Sequence, residues 1–232
     1  MPEHFLSIII PALNEAETLT TQLETLQYLR SQNVSLTLVD GGSTDNTLEI
    51  ARPLVDQMIS TKPGRAIQMN AGARSNSAEV LLFLHADTLL PPAALTLIRE
   101  AITSGALWGR FDVRINSPHP LLRTVERMMN WRSRLTGIAT GDQGIFVHRS
   151  IFERIGGYPE QPLMEDIALS ARLKRIAPPA CFKESVITSG RRWEKHGVWR
   201  TILLMWRLRA AYFFGVAPEK LAVLYGYQSH KK

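Results

Sequence analysis

Short apolar runs alternate with segments of helical periodicity through the first half of the chain. The runs are rich in Val, Ile and Leu, which is typical of strands buried on both faces of a parallel sheet. Leucine recurs at positions 19, 23, 26 and 29, a spacing that predicts an amphipathic helix. The predicted strands are residues 6–10, 35–39, 57–60 and 80–84, and a further helix is predicted at residues 65–74.

This alternation predicts an α/β fold with a mostly parallel central sheet flanked by helices. The second half is less regular. Residues 108–115 alternate apolar and polar side chains, as a strand with one exposed face does, and residues 144–148 predict a shorter strand. Because no repeat or linker-like segment interrupts the chain, we expect a single domain over residues 1–232. The helices predicted in this half are residues 120–135, 167–176 and 193–212.

Composition excludes a disordered chain, since 45% of residues are hydrophobic and 21% are charged. The net charge of +6 favours an anionic partner: a nucleotide diphosphate, an anionic membrane surface or nucleic acid. A solvated basic surface without a particular partner explains the charge equally simply. The lysines are not clustered and no recognition motif is present, so we expect no nucleic-acid binding.

The cysteine content and the apolar runs indicate a cytoplasmic protein. Cys181 is the only cysteine, which excludes an internal disulfide and a cysteine-rich metal site. Residues 1–4 lack the basic and apolar layout of a signal peptide. No run approaches the ~18 apolar residues of a membrane span. We therefore expect the protein in the cytoplasm, at most peripheral at the cytoplasmic face of a membrane.

Polar residues follow three of the predicted strands. The first strand is expected to stop at Pro11 and is followed by Ala12, Leu13, Asn14 and Glu15; Asp40 ends the second, and His85-Ala86-Asp87 ends the fourth. Ligands of open parallel sheets bind beyond the carboxyl ends of the strands. A single carboxylate here is commonly a helix cap, but the three strand ends together predict a binding site.

The same segments resemble the opening of family 2 glycosyltransferases, which have the GT-A fold. The resemblance rests on residues 7–15 (SIIIPALNE) and 39–47 (VDGGSTDNT) and covers roughly residues 5–195. It implies transfer of a sugar from a nucleotide-diphosphate donor, a UDP- or GDP-sugar. Residues 1–104 would bind the donor and residues 105–232 the acceptor. Shorter matches continue it at Gly64-Arg65, Asn70-Ala71-Gly72, residues 82–87, Gly156-Gly157-Tyr158 and Met164-Glu165-Asp166.

For the nucleotide, the resemblance implies that Asp40 accepts hydrogen bonds from a uracil imide or from ribose hydroxyls. Arg65 would offset charge on the diphosphate, or it is a solvated cation at a helix start. The full set of nucleotide-binding residues implied in this way is Pro11, Ala12, Asn14, Glu15, Asp40, Gly42, Arg65, His85 and Ala86.

His85-Ala86-Asp87 matches the Asp-x-Asp motif of the family, with histidine in place of the first aspartate. The resemblance makes Asp87 the ligand of Mn²⁺ or Mg²⁺. A hard cation that takes its other ligands from phosphate and water needs only one or two carboxylates. A neutral His85 would bind the metal, contact the ribose or pack at the strand end.

Glu165 and Asp166 begin a predicted helix, where carboxylates favour the helix dipole. The resemblance instead makes Asp166 the base that removes a proton from the acceptor hydroxyl in a direct, inverting displacement. Glu165 would orient Asp166 or contact the acceptor.

On the acceptor side, Gly141 and Asp142 lie where the family forms a wall of the site, although a glycine-flanked turn is an equal interpretation. Arg191-Arg192-Trp193 resembles an arginine-rich tryptophan motif of processive members but lacks its glutamine, so no processivity follows. We expect Arg192 and Trp193 at the acceptor. An arginine here would stabilise the leaving group or form a surface salt bridge.

Apolar residues and arginines are interleaved in two of the predicted helices, residues 120–135 and 193–212. Such amphipathic helices lie in a lipid interface or, more commonly, pack onto their own domain. A lipid interface would favour a lipid-linked acceptor.

Two other functions remain open at this point. Histidine at position 85, in place of the family's aspartate, favours a catalytically silent protein that binds sugar nucleotides or a membrane surface. The presence of Asp87 and Asp166 argues against this function. A nucleotidyltransferase is the second, but these enzymes begin with a glycine-rich phosphate loop that residues 11–15 do not resemble.

Overall fold

The computed structural model describes residues 4–226. Residues 1–3, which carry most of the segment examined for a signal peptide, lie outside the described part, as do residues 227–232. Within residues 4–226, no helix is both long enough and apolar enough to cross a bilayer.

One eight-stranded sheet runs through both halves of the chain in the order β3-β2-β1-β4-β7-β6-β8-β5. The pairs β2–β3, β1–β2, β1–β4 and β6–β8 are parallel, and the pairs that β7 and β5 make are antiparallel. The strands are β1 (Leu6–Ala12), β2 (Val34–Asp40), β3 (Gln57–Ser60), β4 (Val80–Phe83), β5 (Thr88–Leu89), β6 (Trp108–Asn116), β7 (Ile145–His148) and β8 (Ala180–Ser189).

Helices connect the parallel strands and cover the sheet, as the alternation in the sequence predicts. The helices are α1 (Ala16–Arg30), α2 (Thr47–Ala51), α3 (Arg65–Arg74), α4 (Ala94–Thr103), α5 (Pro120–Thr136), α6 (Arg149–Arg154), α7 (Glu165–Leu173), α8 (Arg191–His196), α9 (Val198–Phe213) and α10 (Pro218–Tyr225). A single 3₁₀ turn, Gly141–Gln143, precedes β7.

The strands and helices of the first half form a buried core, as the apolar pattern of the sequence predicts. All seven residues of β1 and of β2 are buried, because β1 lies between β2 and β4 and helices cover both faces. The four leucines of α1 are buried against one face of the sheet. On the other face, α3 approaches so closely that a Cβ at Gly72 would lie 2.5 Å from Ile9 Cγ2. Glycine is therefore required for this packing.

Two strand predictions need correction. The first strand does not stop at Pro11 but continues through Ala12, since Pro11 pairs with Val39 in the parallel register. The strand at residues 108–116 does not have one exposed face throughout. Its first four residues are all buried, because Trp108 and Phe111 pack into two different hydrophobic clusters of the core. Arg110 is fully buried there and pairs with Asp112.

The C-terminal segment is three helices rather than one. Gly197 and Gly215, both with positive φ, separate α8, α9 and α10. Few side chains of α9 are buried, chiefly Thr201 and Leu208, so the expected amphipathic packing onto the domain is not confirmed. On α5, Leu122 is buried as an apolar face requires, whereas Met128, Trp131 and Leu135 are exposed.

Candidate functional site

Two loops at the carboxyl ends of β1 and β2 are held together by hydrogen bonds. The first loop, residues 13–15, donates main-chain N–H groups to side chains that follow β2, and Asn14 adopts a positive φ of 55° to do so. Each loop therefore stabilises the shape of the other. The bonds are Asn14 N to Ser43 Oγ (2.9 Å), Glu15 N to Thr47 Oγ1 (2.9 Å), Ala16 N to Asp45 Oδ2 (3.2 Å) and Thr44 N to Asn14 Oδ1 (2.8 Å).

The Asp40 carboxylate holds the loop that follows β2 in its shape. Its carboxylate, which is 2% exposed, accepts hydrogen bonds from Gly42 N at 2.9 Å and Ser43 N at 3.1 Å. Gly42 has a φ of 96°, a conformation that favours glycine. Pro11 and Ala12 are buried strand residues beside it. The contacts of these residues with a nucleotide stay predictions, and the structure gives Asp40 a loop-forming role in addition.

Arg191 lies at this strand edge, although the sequence motif that contains it led us to expect only Arg192 and Trp193 in the site. Its Nη2 donates to Glu15 Oε2 at 2.8 Å and lies 3.8 Å from Asp87 Oδ2. The hydrogen bond from Arg191 to Glu15 raises the pKa of Arg191. Arg192, the neighbour expected at the acceptor, lies over the ring of Tyr225, 3.7 Å from its centroid, and its contact with an acceptor stays a prediction. Trp193 is partly exposed beside it on α8.

Asp87 has surroundings that a cation could use. Burial and the negative charge of Glu15 raise the pKa of Asp87, while Arg191 and Arg65 lower it. A cavity of about 200 Å³ opens against Asp87, lined also by Thr18 and Gln22. In residues 4–226, no three His, Cys, Asp or Glu side chains converge on a point. The donor set therefore fits a hard cation that takes most of its ligands from phosphate and water, and does not fit a closed protein cage.

His85 lies at the end of β4 as a neutral, packed side chain. Burial and the nearby charge of Arg65 lower the pKa of His85 to about 3. Its ring lies against Gly141, where an added Cβ would be 2.5 Å from His85 Nε2. Of the three roles considered for His85, packing at the strand end is the one this contact supports.

The start of α7 brings both candidate catalytic carboxylates to the same region. Met164 precedes the helix with a φ of 65°. Asp166 Oδ2 accepts a hydrogen bond from Gly141 N at 2.7 Å, and its Oδ1 accepts one from Ile167 N at 2.7 Å. Glu165 is 5% exposed, and burial followed by the charge of Asp166 raises its pKa to about 7.

These contacts join the two halves of the predicted site. His85 ends a strand of the first half, Gly141 packs on its ring, and the Gly141 N–H binds Asp166. Arg65, at the start of α3, is close enough to shift the pKa of both His85 and Glu165. Asp142 follows Gly141 in the 3₁₀ turn, and burial raises the pKa of its carboxyl group.

Comparison with known proteins decides the family. The family model described as Glycosyl transferase family 2 matches residues 7–156, more than half of the chain. The chain belongs to glycosyl transferase family 2. The strand-end motifs, the 3₁₀ turn and β7 all lie within the matched residues, whereas α7 and the C-terminal helices follow them.

Relatives agree with this assignment. The PGL/p-HBAD biosynthesis glycosyltransferase of Mycobacterium bovis is 34% identical, over 66% of this chain and 62% of the relative. The probable glycosyltransferase YdaM of Bacillus subtilis is 26% identical, over 90% of this chain and 54% of the relative. The chain thus spans between half and two thirds of the length of these two proteins.

Among solved structures, the mannosyltransferase PcManGT of Pyrobaculum calidifontis, in complex with GDP-Man and Mn²⁺, has a TM-score of 0.67 to this chain. The match covers 98% of this chain and 71% of that chain at 20% identity. This likeness confirms the GT-A fold that the sequence predicts for this family 2 protein.

The raised pKa of Glu165 makes the stability of the fold depend on pH. Its pKa is about 7 in the folded protein against an ordinary 4.5, so the folded state binds more protons between these values and loses stability as pH rises through them. A glutamine cannot titrate. We therefore expect Glu165→Gln to gain stability relative to the wild-type protein from about pH 4.5 to about pH 7, with no further gain above that.

Urea denaturation of both proteins at intervals of half a pH unit measures this difference. The glutamine variant serves as the reference, because every other titrating group is common to the two proteins. A difference that stays constant across the range would contradict the raised pKa.

Proposed function

We propose that this protein transfers a sugar from a nucleoside-diphosphate donor, a UDP- or GDP-sugar, to an acceptor hydroxyl with inversion at the anomeric carbon. The observation that carries the proposal is the hydrogen bond from Gly141 N to Asp166, because it fixes a carboxylate beside the strand end that bears His85 and Asp87. The family 2 match and the GDP-Man bound by PcManGT support a sugar-nucleotide donor. The family match also disfavours a nucleotidyltransferase.

Asp166 is the base in this proposal. Each of its oxygens accepts one main-chain hydrogen bond, which holds the carboxylate in a single orientation and leaves a lone pair on each oxygen. As the acceptor oxygen attacks the anomeric carbon, one lone pair takes the hydroxyl proton while the bond to the diphosphate breaks. Glu165, buried next to Asp166, would orient that side chain or contact the acceptor.

On the donor side, Arg191 and Arg65 supply positive charge where the leaving diphosphate would lie. Asp87, with Glu15 close by, is the residue that would hold Mn²⁺ or Mg²⁺. When bound, the cation would neutralise negative charge on the diphosphate. PcManGT, which contains Mn²⁺, supports this assignment.

The base assignment predicts a loss of transfer in Asp166→Asn. The amide keeps the size of the side chain but lacks a basic lone pair, so we expect transfer to fall by ~10²–10⁴, the usual contribution of a general base. The donor dissociation constant should hardly change, since Asp166 faces the acceptor. Glu165→Gln should lose less activity.

Transfer rates and donor dissociation constants for the three proteins test this prediction. A screen of nucleotide sugars for slow donor hydrolysis identifies the donor first, because hydrolysis needs no acceptor. Full activity in Asp166→Asn would make the carboxylate only a helix cap. A wild-type protein that binds donors but neither hydrolyses nor transfers them would support the catalytically silent alternative.

The metal assignment predicts that Asp87→Asn removes the part of nucleotide affinity that depends on Mn²⁺. Affinity without metal should be unchanged or higher, because a negative charge near the diphosphate is lost. Calorimetry with UDP and GDP, with and without Mn²⁺, measures both parts. Glu17→Gln is the control, since this exposed carboxylate also lies near Arg191, at 3.5 Å. Wild-type affinity that is independent of Mn²⁺ would mean that the arginines alone neutralise the diphosphate.

We further propose that α9 places the protein on the cytoplasmic face of an anionic membrane. Trp199, Leu203 and Trp206 recur at helical spacing and are 58–64% exposed. Phe213 and Phe214 continue this exposed apolar face at the helix end. The helix contains three arginines and no acidic residue, which complements anionic lipid. A lipid-linked acceptor is consistent with this surface.

This proposal predicts that the protein sediments with phosphatidylglycerol vesicles at low salt and is released as salt rises. Replacing both Trp199 and Trp206 by Ser should abolish sedimentation. Tyr28→Ser, which removes an exposed aromatic ring from α1, is the matched control. If the wild-type protein does not sediment at any salt concentration, α9 has another role.

A further inference from the structure

Two arginines outside the predicted site have buried N–H groups without partners. Nε and Nη2 of Arg132 on α5, and Nε of Arg209 on α9, are buried with no hydrogen-bond partner. Among residues 4–226, neither guanidinium forms an ion pair with a carboxylate within 4.0 Å. A buried donor of a charged group that lacks a partner lowers the stability of the folded protein, so the fold keeps these groups at a disadvantage.

Both arginines lie near Asp142 in the 3₁₀ turn, and Arg132 also lies near Asp166. Helix α5, which carries Arg132, contacts the 3₁₀ turn through Asn130, whose Oδ1 accepts a hydrogen bond from Gln143 at 3.4 Å, and the charge of Arg132 acts on Asp142 in that turn. Arg209 follows Leu208, which is buried against Leu163 and Met164 immediately before α7. The two side chains therefore approach the Gly141–Gln143 turn and the start of α7 from different helices.

The charges of Arg132, Arg209 and Asp142 agree with that placement. Burial, followed by the positive charge of Arg209, lowers the pKa of Arg132 to about 10, while Asp142 and Asp166 oppose the shift. The same two arginines lower the pKa of Asp142, which burial raises. Two guanidinium groups that repel each other and lack a bonded counterion form a site that an anion would stabilise.

We propose that Arg132 and Arg209 bind a phosphate group carried by the acceptor. This inference rests on the proposed function, in which Asp166 faces the acceptor. The donor diphosphate does not need these arginines, because Arg191 and Arg65 lie at the strand ends where it would bind. Guanidinium N–H groups match the oxygens of phosphate, and donors from two helices would hold a tetrahedral anion beside the base.

The experiment measures binding of inorganic phosphate to protein saturated with UDP or GDP, so that the donor site is already filled. We expect Arg132→Gln and Arg209→Gln each to weaken phosphate binding by about ten-fold or more, the usual effect of losing a charge-assisted hydrogen bond. Arg127→Gln on α5 and Arg207→Gln on α9 are the controls, because both side chains are exposed on the same helices.

Folding and nucleotide binding separate the alternative explanations. Because unpartnered donors are removed, both glutamine variants should keep or raise the melting temperature, whereas structural arginines would lower it. If the wild-type protein binds nucleotide but no phosphate, or if the variants bind phosphate as the wild type does, this inference is overturned and the proposed donor is unaffected. A wild-type protein that binds no nucleotide would instead contradict the proposed function.

Phosphate on a lipid and phosphate on a soluble acceptor share this chemistry, and vesicles distinguish them. For a lipid source, the two glutamine variants should lose affinity for vesicles containing a polyprenyl phosphate but keep their affinity for phosphatidylglycerol vesicles. For a soluble source, they should lose affinity for inorganic phosphate and bind both kinds of vesicle as the wild type does.

Discussion

The hydrogen bond from Gly141 N to Asp166 Oδ2 is the contact on which the site depends. At 2.7 Å it joins a main-chain donor to a charged acceptor, a pairing about twice as strong as a neutral one. Position 141 must be glycine for the same site to form, because any Cβ there would collide with the ring of His85. One residue thus connects the end of β4, where the proposed donor would bind, to the start of α7, where the proposed acceptor would bind.

The histidine in place of an aspartate is understandable in these terms. A carboxylate at position 85 would be buried beside Gly141, whereas a neutral imidazole, with its pKa lowered to about 3, fills that space without adding charge. The negative charge at these strand ends then comes from Asp87 and Glu15, and Arg191 partly balances both. Arg191 lies at the strand ends, whereas Arg132 lies near the 3₁₀ turn.

Helix α9 connects the proposed membrane surface to the catalytic region. Its exposed face carries Trp199 and Trp206, while its buried Leu208 packs against Met164, the residue before α7. A helix held by lipid on one side would therefore hold the start of α7 on the other. Arg209 follows Leu208 and lies near Asp142, so the same helix would position both the proposed phosphate and the start of α7.

The sequence by itself predicted β1 to β4, α1, α3 and the family, because buried parallel strands and their loop motifs are local patterns. It also singled out Asp87 and Asp166, whose proposed roles stay predictions. Only the tertiary structure showed that Arg191 reaches Glu15 across 176 positions, and that Arg132 and Arg209 approach one turn. Spacing along the chain carries no signal for such contacts, since they arise when separate helices pack around one sheet. The same packing decided that β6 is buried and that α9 is exposed.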